Sequence, residues 1–211
     1  MPEPKELYEA VLGGDAPGAV EATTKALDAG ADPQALVQGC MVPAMDEVGR
    51  RFEEGEFFVP ELLIAARAMK GALELIRPIL AERGDQPVGR VVIGTVKGDL
   101  HDIGKNLVSY MLEGGGFEVK DLGVDVSAET FVEAVKEMKA DMLGLSALLT
   151  TTMPSMKSVL VALEEAGVRD QVKVLVGGAP VTQQFASEIG ADAYAETAVA
   201  AVAQARDLSA V

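Results

Sequence analysis

Apolar positions along the chain follow two textures, and one gives way to the other near residue 85. Before that point they recur at helical spacing. Val20, Thr24 and Leu27 share a face, and Leu36, Val37, Met41, Met45 and Val48 keep a period of about 3.6 residues. Leu62, Leu63, Ala66, Met69, Leu73 and Ile76 form a further stripe. Breaks at Gly13-Gly14-Asp15, at Ala29–Pro33 and at Gly55 separate these segments. No alternating β-branched run interrupts them. The pattern predicts a bundle of four or five short helices over residues 1–85.

A polar stretch with Gly and Pro, Ala81 to Gly89, reads as the linker. Beyond it, apolar runs of strand length alternate with helical stretches. Strands are expected at Val91–Val96, Phe117–Leu122, Asp141–Leu145, Val172–Val176 and Ala191–Tyr194. Helices are expected at 102–114, Ser127–Lys139, 153–166, 181–189 and Glu196–Asp207. Such alternation predicts a parallel sheet covered on both faces. The fold class is therefore α/β: a helical bundle, then a flavodoxin-like (Rossmann-type) five-stranded parallel sheet over residues 90–211. A ligand of such a sheet lies outside the carboxyl ends of its strands. The loops after Val96, Leu145 and Val176 are thus the places to look for chemistry.

Composition narrows the function. Apolar residues make up 49% of the 211, which excludes intrinsic disorder. With 18 basic and 33 acidic residues the net charge is -15, which argues against a nucleic-acid partner and an anionic membrane surface. Aromatics are 4% and Trp is absent, so a base-stacking platform is not expected. Cys40 is the single cysteine, which excludes an intrachain disulfide and a thiolate zinc cluster. No apolar run reaches the ~20 residues that span a bilayer. The start, MPEPKELYEA, lacks the apolar core of a signal peptide, so the expected location is cytoplasmic.

The first loop, Gly98-Asp99-Leu100-His101-Asp102-Ile103-Gly104, holds the only histidine of the chain. Asp99, two residues earlier, can accept a hydrogen bond from one imidazole nitrogen and leave the other free for a metal. Gly98 and Gly104 let the backbone pass close to something bulky. One histidine cannot hold a bare ion, but it can supply an axial ligand to a metal already held by a macrocycle. The second loop, Ser146-Ala147-Leu148-Leu149-Thr150-Thr151-Thr152, is rich in hydroxyls. Ordinary N-capping ahead of Pro154 is the competing reading there. The third, Gly177-Gly178-Ala179-Pro180, is either a turn or room for a ligand between strand ends.

Asp-x-His-x-x-Gly, then Ser-x-Leu, then Gly-Gly, in this order and each at a predicted strand end, resembles the cobalamin-binding domain of methionine synthase, B12-dependent mutases and corrinoid methyl carriers. GDLHDIGKN and VGGAPVT are similar above all to the small corrinoid proteins of methyltransferase systems. The helical first half resembles the cap domain of the same proteins. The resemblance implies a bound cobalamin or related corrinoid, its cobalt passing among methylcobalamin, Co(II) and Co(I) states. It implies His101 as the lower axial ligand, with Asp99 and Thr152 completing a relay; the methionine synthase pattern has serine where Thr152 stands. Gly98, Leu100, Asp102, Ile103 and Gly104 would line the cofactor around them. Ser146, Leu148, Thr150, Gly177, Gly178 and Ala179 would contact its nucleotide tail, with Tyr194 beside them. In the cap segment Arg51 to Pro60, Phe52 and Val59 would face the upper side of the corrin, with bundle core as the competing reading. At the second of these positions the family usually has a larger leucine.

The function implied is a methyl carrier in one-carbon metabolism, one component of a multi-protein system. Its partners would be a substrate-specific methyltransferase, a second methyltransferase that passes the methyl group to an acceptor, and a reductive activation protein. A cobalamin-dependent sensor is the alternative, disfavoured because no segment is left over for a signalling module and the acidity disfavours DNA. A mutase small subunit is a third reading, against which the cap-like first half counts.

Overall fold

The computed structural model describes residues 4–85 and 87–209. Residues 1–3 and 210–211 of the two predicted regions, and Gln86 of the predicted linker, lie outside the described residues. Packing divides the chain into two units. One is the described chain up to Pro87 together with Glu113–Gly116; the other is Val88–Leu112 and the described residues from Phe117 on.

The first unit is helical: α1 (Pro4–Leu12), α2 (Ala16–Asp28), α3 (Pro33–Leu36), α4 (Val42–Glu53) and α5 (Val59–Arg83). Side-chain caps place two of the starts. Asp15 accepts from the Gly18 amide and Asp32 from the Ala35 amide, each at 3.0 Å. Between α3 and α4 the chain takes a wider π turn, Val37–Met41, in which the Val42 amide reaches back to the Val37 carbonyl. Pro43 follows directly and has no N–H for the usual i→i−4 bond, which suits a local change of pitch. Two expectations are corrected here. The last helix is not short: it runs 25 residues, through Pro78 to Arg83. The linker therefore opens at Gly84, whose φ of 76° ends α5 in the left-handed region, not at Ala81. Val11, Met41, Met45, Leu62, Met69 and Ile76 are fully buried in this unit.

The second unit is a parallel sheet of β1 (Arg90–Thr95), β2 (Glu118–Asp121), β3 (Met142–Ser146), β4 (Lys173–Gly177) and β5 (Ala193–Ala195) in the order β2-β1-β3-β4-β5. The helices are α6 (Ile103–Gly114), α7 (Ala128–Met138), α8 (Pro154–Glu165), α9 (Gln183–Ile189) and α10 (Ala198–Ser209). This is the flavodoxin-like order, and its topological switch point falls between β1 and β3. Alternation sorts the strand residues by face. Val92, Leu143, Leu145, Val174 and Val176 join Phe131, Met156, Leu160 and Leu163 of α7 and α8 in one core. Val91, Ile93, Met142 and Leu175 are buried on the opposite face, along which α10 runs beside β4 and β5.

Gly94 in β1 shows how closely that first core is fitted. A Cβ there would lie 2.8 Å from the ring of Phe131. Phe131 is fully buried, so Phe131→Ala leaves a ring-sized cavity under the strand that carries the first functional loop. Urea unfolding of this variant should show a loss of about 3–5 kcal/mol. A loss below 1 kcal/mol would mean that the face collapses freely, contrary to the packing described.

Candidate functional site

The loop after β1 is gripped from both sides. On the β3 side, the Val96 amide donates to the Ser146 carbonyl at 3.0 Å. On the β2 side, the Thr95 amide donates to Gly123 and the Val126 amide to Thr95, at 2.9 and 3.0 Å. Thr95, Ser146, Gly177 and Ala195 stand level across the sheet, so the loops after β1, β3 and β4 leave from one edge.

Asp99 is completely buried at that edge. Its Oδ1 accepts the His101 amide at 3.1 Å and meets His101 Nδ1 at 2.7 Å. Its Oδ2 accepts the amides of Leu148 and Leu149 at 2.8 and 3.3 Å and the Thr152 hydroxyl at 2.7 Å. Burial pushes this carboxyl up. The Thr152 hydroxyl, the Leu148 amide and the ring and amide of His101 stabilise its anion, and the balance holds it well below the usual carboxylate range. An ionised carboxylate only accepts. Nδ1 of His101 therefore carries a proton, and in the neutral ring Nε2 is the nitrogen that keeps its lone pair. Nε2 makes no hydrogen bond to a described residue, and the side chain is half exposed. The His101 carbonyl is held as well, by the Thr95 hydroxyl at 2.9 Å.

Thr152 settles the reading of the hydroxyl loop. Its Oγ1 lies 2.7 Å from Asp99 Oδ2 and 2.9 Å from the Leu149 carbonyl. It has one proton to give, and the charged acceptor is the stronger. Helix α8 begins without a side-chain cap, so N-capping does not account for this threonine. Its extra methyl, compared with serine, points to the open side of Gly98: a Cβ on that glycine would still be 3.7 Å away.

The surroundings are apolar and open. Leu100 is 71% and Ile103 78% exposed, and Leu148 and Leu149 are each 42% exposed. Gly104, in the first turn of α6, has open space where a side chain would stand, and nothing in the chain requires a glycine there. Asp102 is engaged with α6: its carbonyl accepts the Asn106 amide at 2.7 Å and its Oδ2 the Asn106 side-chain N–H at 3.1 Å. Ser146 and Thr150 make no side-chain hydrogen bond to a described residue, and Ala179 is exposed in the turn after Gly178.

Gly178 is explained by the chain itself. With φ at 133°, a Cβ there would fall 1.9 Å from the Ala147 carbonyl oxygen, so the second and third loops touch at this point. Tyr194 stands level with Val176, one residue short of the edge row, and its ring packs on the core. It is not brought to His101. Phe52 is half-buried in α4 and Val59 is exposed at the start of α5. Both belong to the helical unit, and neither is fully buried. Thr95 escaped the sequence analysis because a threonine inside an apolar strand run carries no signal of its loop-holding role.

Among the described residues no group of three His, Cys, Asp or Glu could hold a metal ion. The donor set is a single imidazole nitrogen, oriented by a buried anion, on loops that also carry exposed apolar side chains. It fits a metal that arrives inside a large, partly apolar macrocycle and lacks one ligand.

Comparison with known proteins agrees. B12-binding domain models match residues 4–77 and 89–203. The chain belongs to the B12-binding corrinoid proteins. It is 50% identical over 190 residues to trimethylamine corrinoid protein 2 of Methanosarcina mazei, covering 89% of this chain and 87% of that one. It is 48% identical over 178 residues to dimethylamine corrinoid protein 1 of Methanosarcina acetivorans, covering 84% of each. Its fold matches a chain of the methanol:cobalamin methyltransferase complex MtaBC of Methanosarcina barkeri with a TM-score of 0.87 at 35% identity, over 97% of this chain and 78% of that one. The cofactor of this corrinoid protein is cobalamin or a related corrinoid, and its fold is the helical and Rossmann-like pair of that family. No described helix is long and apolar enough to cross a membrane.

Two outcomes follow from the Asp99 geometry. A carboxyl depressed in the folded state stabilises the protein above the unfolded aspartate value, and that stabilisation is lost as pH falls toward the folded one. In apoprotein urea titrations, the stability gap between the native chain and Asp99→Asn should stay constant above about pH 5 and shrink steadily below about pH 4. A gap that widens on acidification would refute the ionised Asp99. At neutral pH, Thr152→Val should cost about 1.5–3 kcal/mol by removing a donor to a buried charge, whereas Thr152→Ser should retain most of it.

Proposed function

We propose that this corrinoid protein carries a methyl group between two methyltransferases, with His101 Nε2 as the lower axial ligand of the corrinoid cobalt. The observation that carries the reading is the bare Nε2 on a histidine whose Nδ1 is fixed by buried Asp99. When bound, the corrinoid supplies a cobalt centre able to accept and release a methyl group. The chain's own part is to present one nitrogen in a fixed direction and to keep its partner proton on Nδ1. Asp99 and Thr152 hold that proton distribution in place. Gly98, Leu100, Ile103 and Gly104 leave an apolar, uncrowded approach around the ligand nitrogen. The free hydroxyls of Ser146 and Thr150, with Leu148, Gly177, Gly178 and Ala179, are suited to receive the nucleotide tail at the strand ends.

The methyl donor we assign is a methylated amine. The support is that relatives at 48–50% identity are named for trimethylamine and dimethylamine. The partners are then an amine-specific methyltransferase, a second methyltransferase that serves the acceptor, and a protein that reductively reactivates oxidised corrinoid.

Spectroscopy tests the ligand. In the protein loaded with cob(II)alamin, the EPR spectrum should show coupling to one nitrogen, and the splitting should change when histidine is labelled with 15N. His101→Ala should abolish the protein-derived coupling; its persistence would place the ligand elsewhere. Activity tests the donor. The loaded, reduced protein should be methylated, as read from its absorption spectrum, by trimethylamine or dimethylamine with the matching methyltransferase. Methylation by methanol with its own methyltransferase, and by neither amine, would overturn the assignment.

A further inference from the structure

Asp125 lies outside every motif of the sequence, on the loop that leaves β2. Its φ of 54° is in the left-handed region, which a residue with a Cβ enters at a cost and which Asp and Asn tolerate better than most. Two hydrogen bonds show what that conformation achieves. The Asp125 amide donates to the Asp99 carbonyl at 2.9 Å, and Asp125 Oδ1 accepts from the Gly98 amide at 2.8 Å. One residue thus holds the N–H of position 98 and the C=O of position 99. Gly98 is itself left-handed, with φ at 84°, so the segment between these two bonds is tightly turned. Lys97 Nζ stands 3.7 Å from the same Oδ1, with both side chains substantially exposed. The carboxylate of Asp99 is fixed from the β3 side by Leu148, Leu149 and Thr152, but those contacts do not touch its backbone. Asp125 supplies the hold on the opposite flank. Unfavourable backbone conformations of this kind persist where the surroundings over-determine them, and they cluster at functional sites.

We propose that Asp125 is a positioning residue for the corrinoid: it clamps the Gly98–Asp99 backbone so that Asp99, and through it Nε2 of His101, keeps a single orientation. The proposal rests on the reading of His101 as the cobalt ligand. It does not place Asp125 in contact with the cofactor.

Two variants separate clamping from simple stability. Asp125→Gly tolerates the left-handed backbone and keeps the amide bond to Asp99, but loses the acceptor for Gly98. Asp125→Asn keeps an acceptor oxygen at the same reach. In the apoprotein, hydrogen exchange followed by NMR should show the Gly98 amide exchanging about tenfold faster in Asp125→Gly, as expected for one lost hydrogen bond, and near the native rate in Asp125→Asn. In protein loaded with cob(II)alamin, Asp125→Gly should bind the corrinoid about tenfold more weakly and show a smaller fraction of cobalt with histidine-nitrogen coupling, while Asp125→Asn restores both. A residue that serves stability alone would move the urea midpoint and leave the coupled fraction unchanged. Native Gly98 exchange in Asp125→Gly, or a native coupled fraction in that variant, overturns the proposal. If the native protein itself shows no histidine coupling, it is the His101 assignment that fails. In that case faster Gly98 exchange in Asp125→Gly still supports the clamp, and unchanged exchange rejects it.

Discussion

A carboxylate taken out of water is among the most costly groups a protein can bury, and it persists only where hydrogen bonds replace its hydration. Asp99 imposes that requirement on two loops at once. Its donors are the amide and ring of His101, the amides of Leu148 and Leu149, and the hydroxyl of Thr152. The loop after β3 cannot drift from the loop after β1 without stranding the charge. The tautomer of His101 follows from the same anion, since an acceptor at 2.7 Å from Nδ1 fixes which nitrogen is protonated. Loop closure, ring orientation and ligand availability are therefore consequences of a single buried charge.

The glycines of this edge divide by what confines them. Gly178 faces the Ala147 carbonyl so closely that no side chain could be accepted, so the chain's own packing demands it. Gly104 faces nothing, and in a helical turn it costs about 1 kcal/mol relative to alanine. A glycine that costs stability and serves no internal contact marks a surface kept low. Beside it stand Leu100 and Ile103, largely exposed, on a loop whose backbone is hydrogen-bonded at Gly98, Asp99 and His101. Low relief and apolar exposure together describe a floor for a flat, bulky ligand.

The sequence was most legible where burial dictates composition. Parallel strands covered on both faces must be continuous apolar runs, so all five were found, with ends displaced by one or two residues where ladder partners decide the boundary. Beyond the first strand, helices were recognisable from caps and periodicity. The π turn at Val37–Met41 was not, because it shifts the helical phase without changing the residues that carry it. The long α5 was cut short because the polar run that begins at Ala81 reads as a linker. Asp99 and His101 were legible from their spacing. Thr152 was reached through a resemblance, since nothing in a run of three threonines singles out the last. Thr95 and Asp125 were not reached at all, because they act on backbone groups of other residues across the sheet edge. Phe52 and Val59 were drawn from the same resemblance; Phe52 is half-buried and Val59 exposed, so burial alone does not choose between a cofactor-facing and a core role for Phe52.

A metal ligand has to satisfy two opposed conditions: it must be fixed, and it must be reachable. His101, the ligand proposed here, can meet them with different atoms. Its amide, its carbonyl and Nδ1 are bound to Asp99 and Thr95, while the side chain stays half exposed and Nε2 unengaged. Immobilising the ring before the ligand arrives lowers the entropy lost on binding. Leaving four large apolar side chains beside it in water has the complementary effect. Each square ångström of apolar surface that a ligand covered would contribute about 25 cal/mol, so the exposed leucines and isoleucine are a source of affinity for an apolar ligand. A site organised in this way gains little affinity from the single metal–nitrogen bond alone. If His101 is the ligand as proposed, the bond would set orientation, and the apolar side chains and strand-end loops would supply most of the hold on the cofactor.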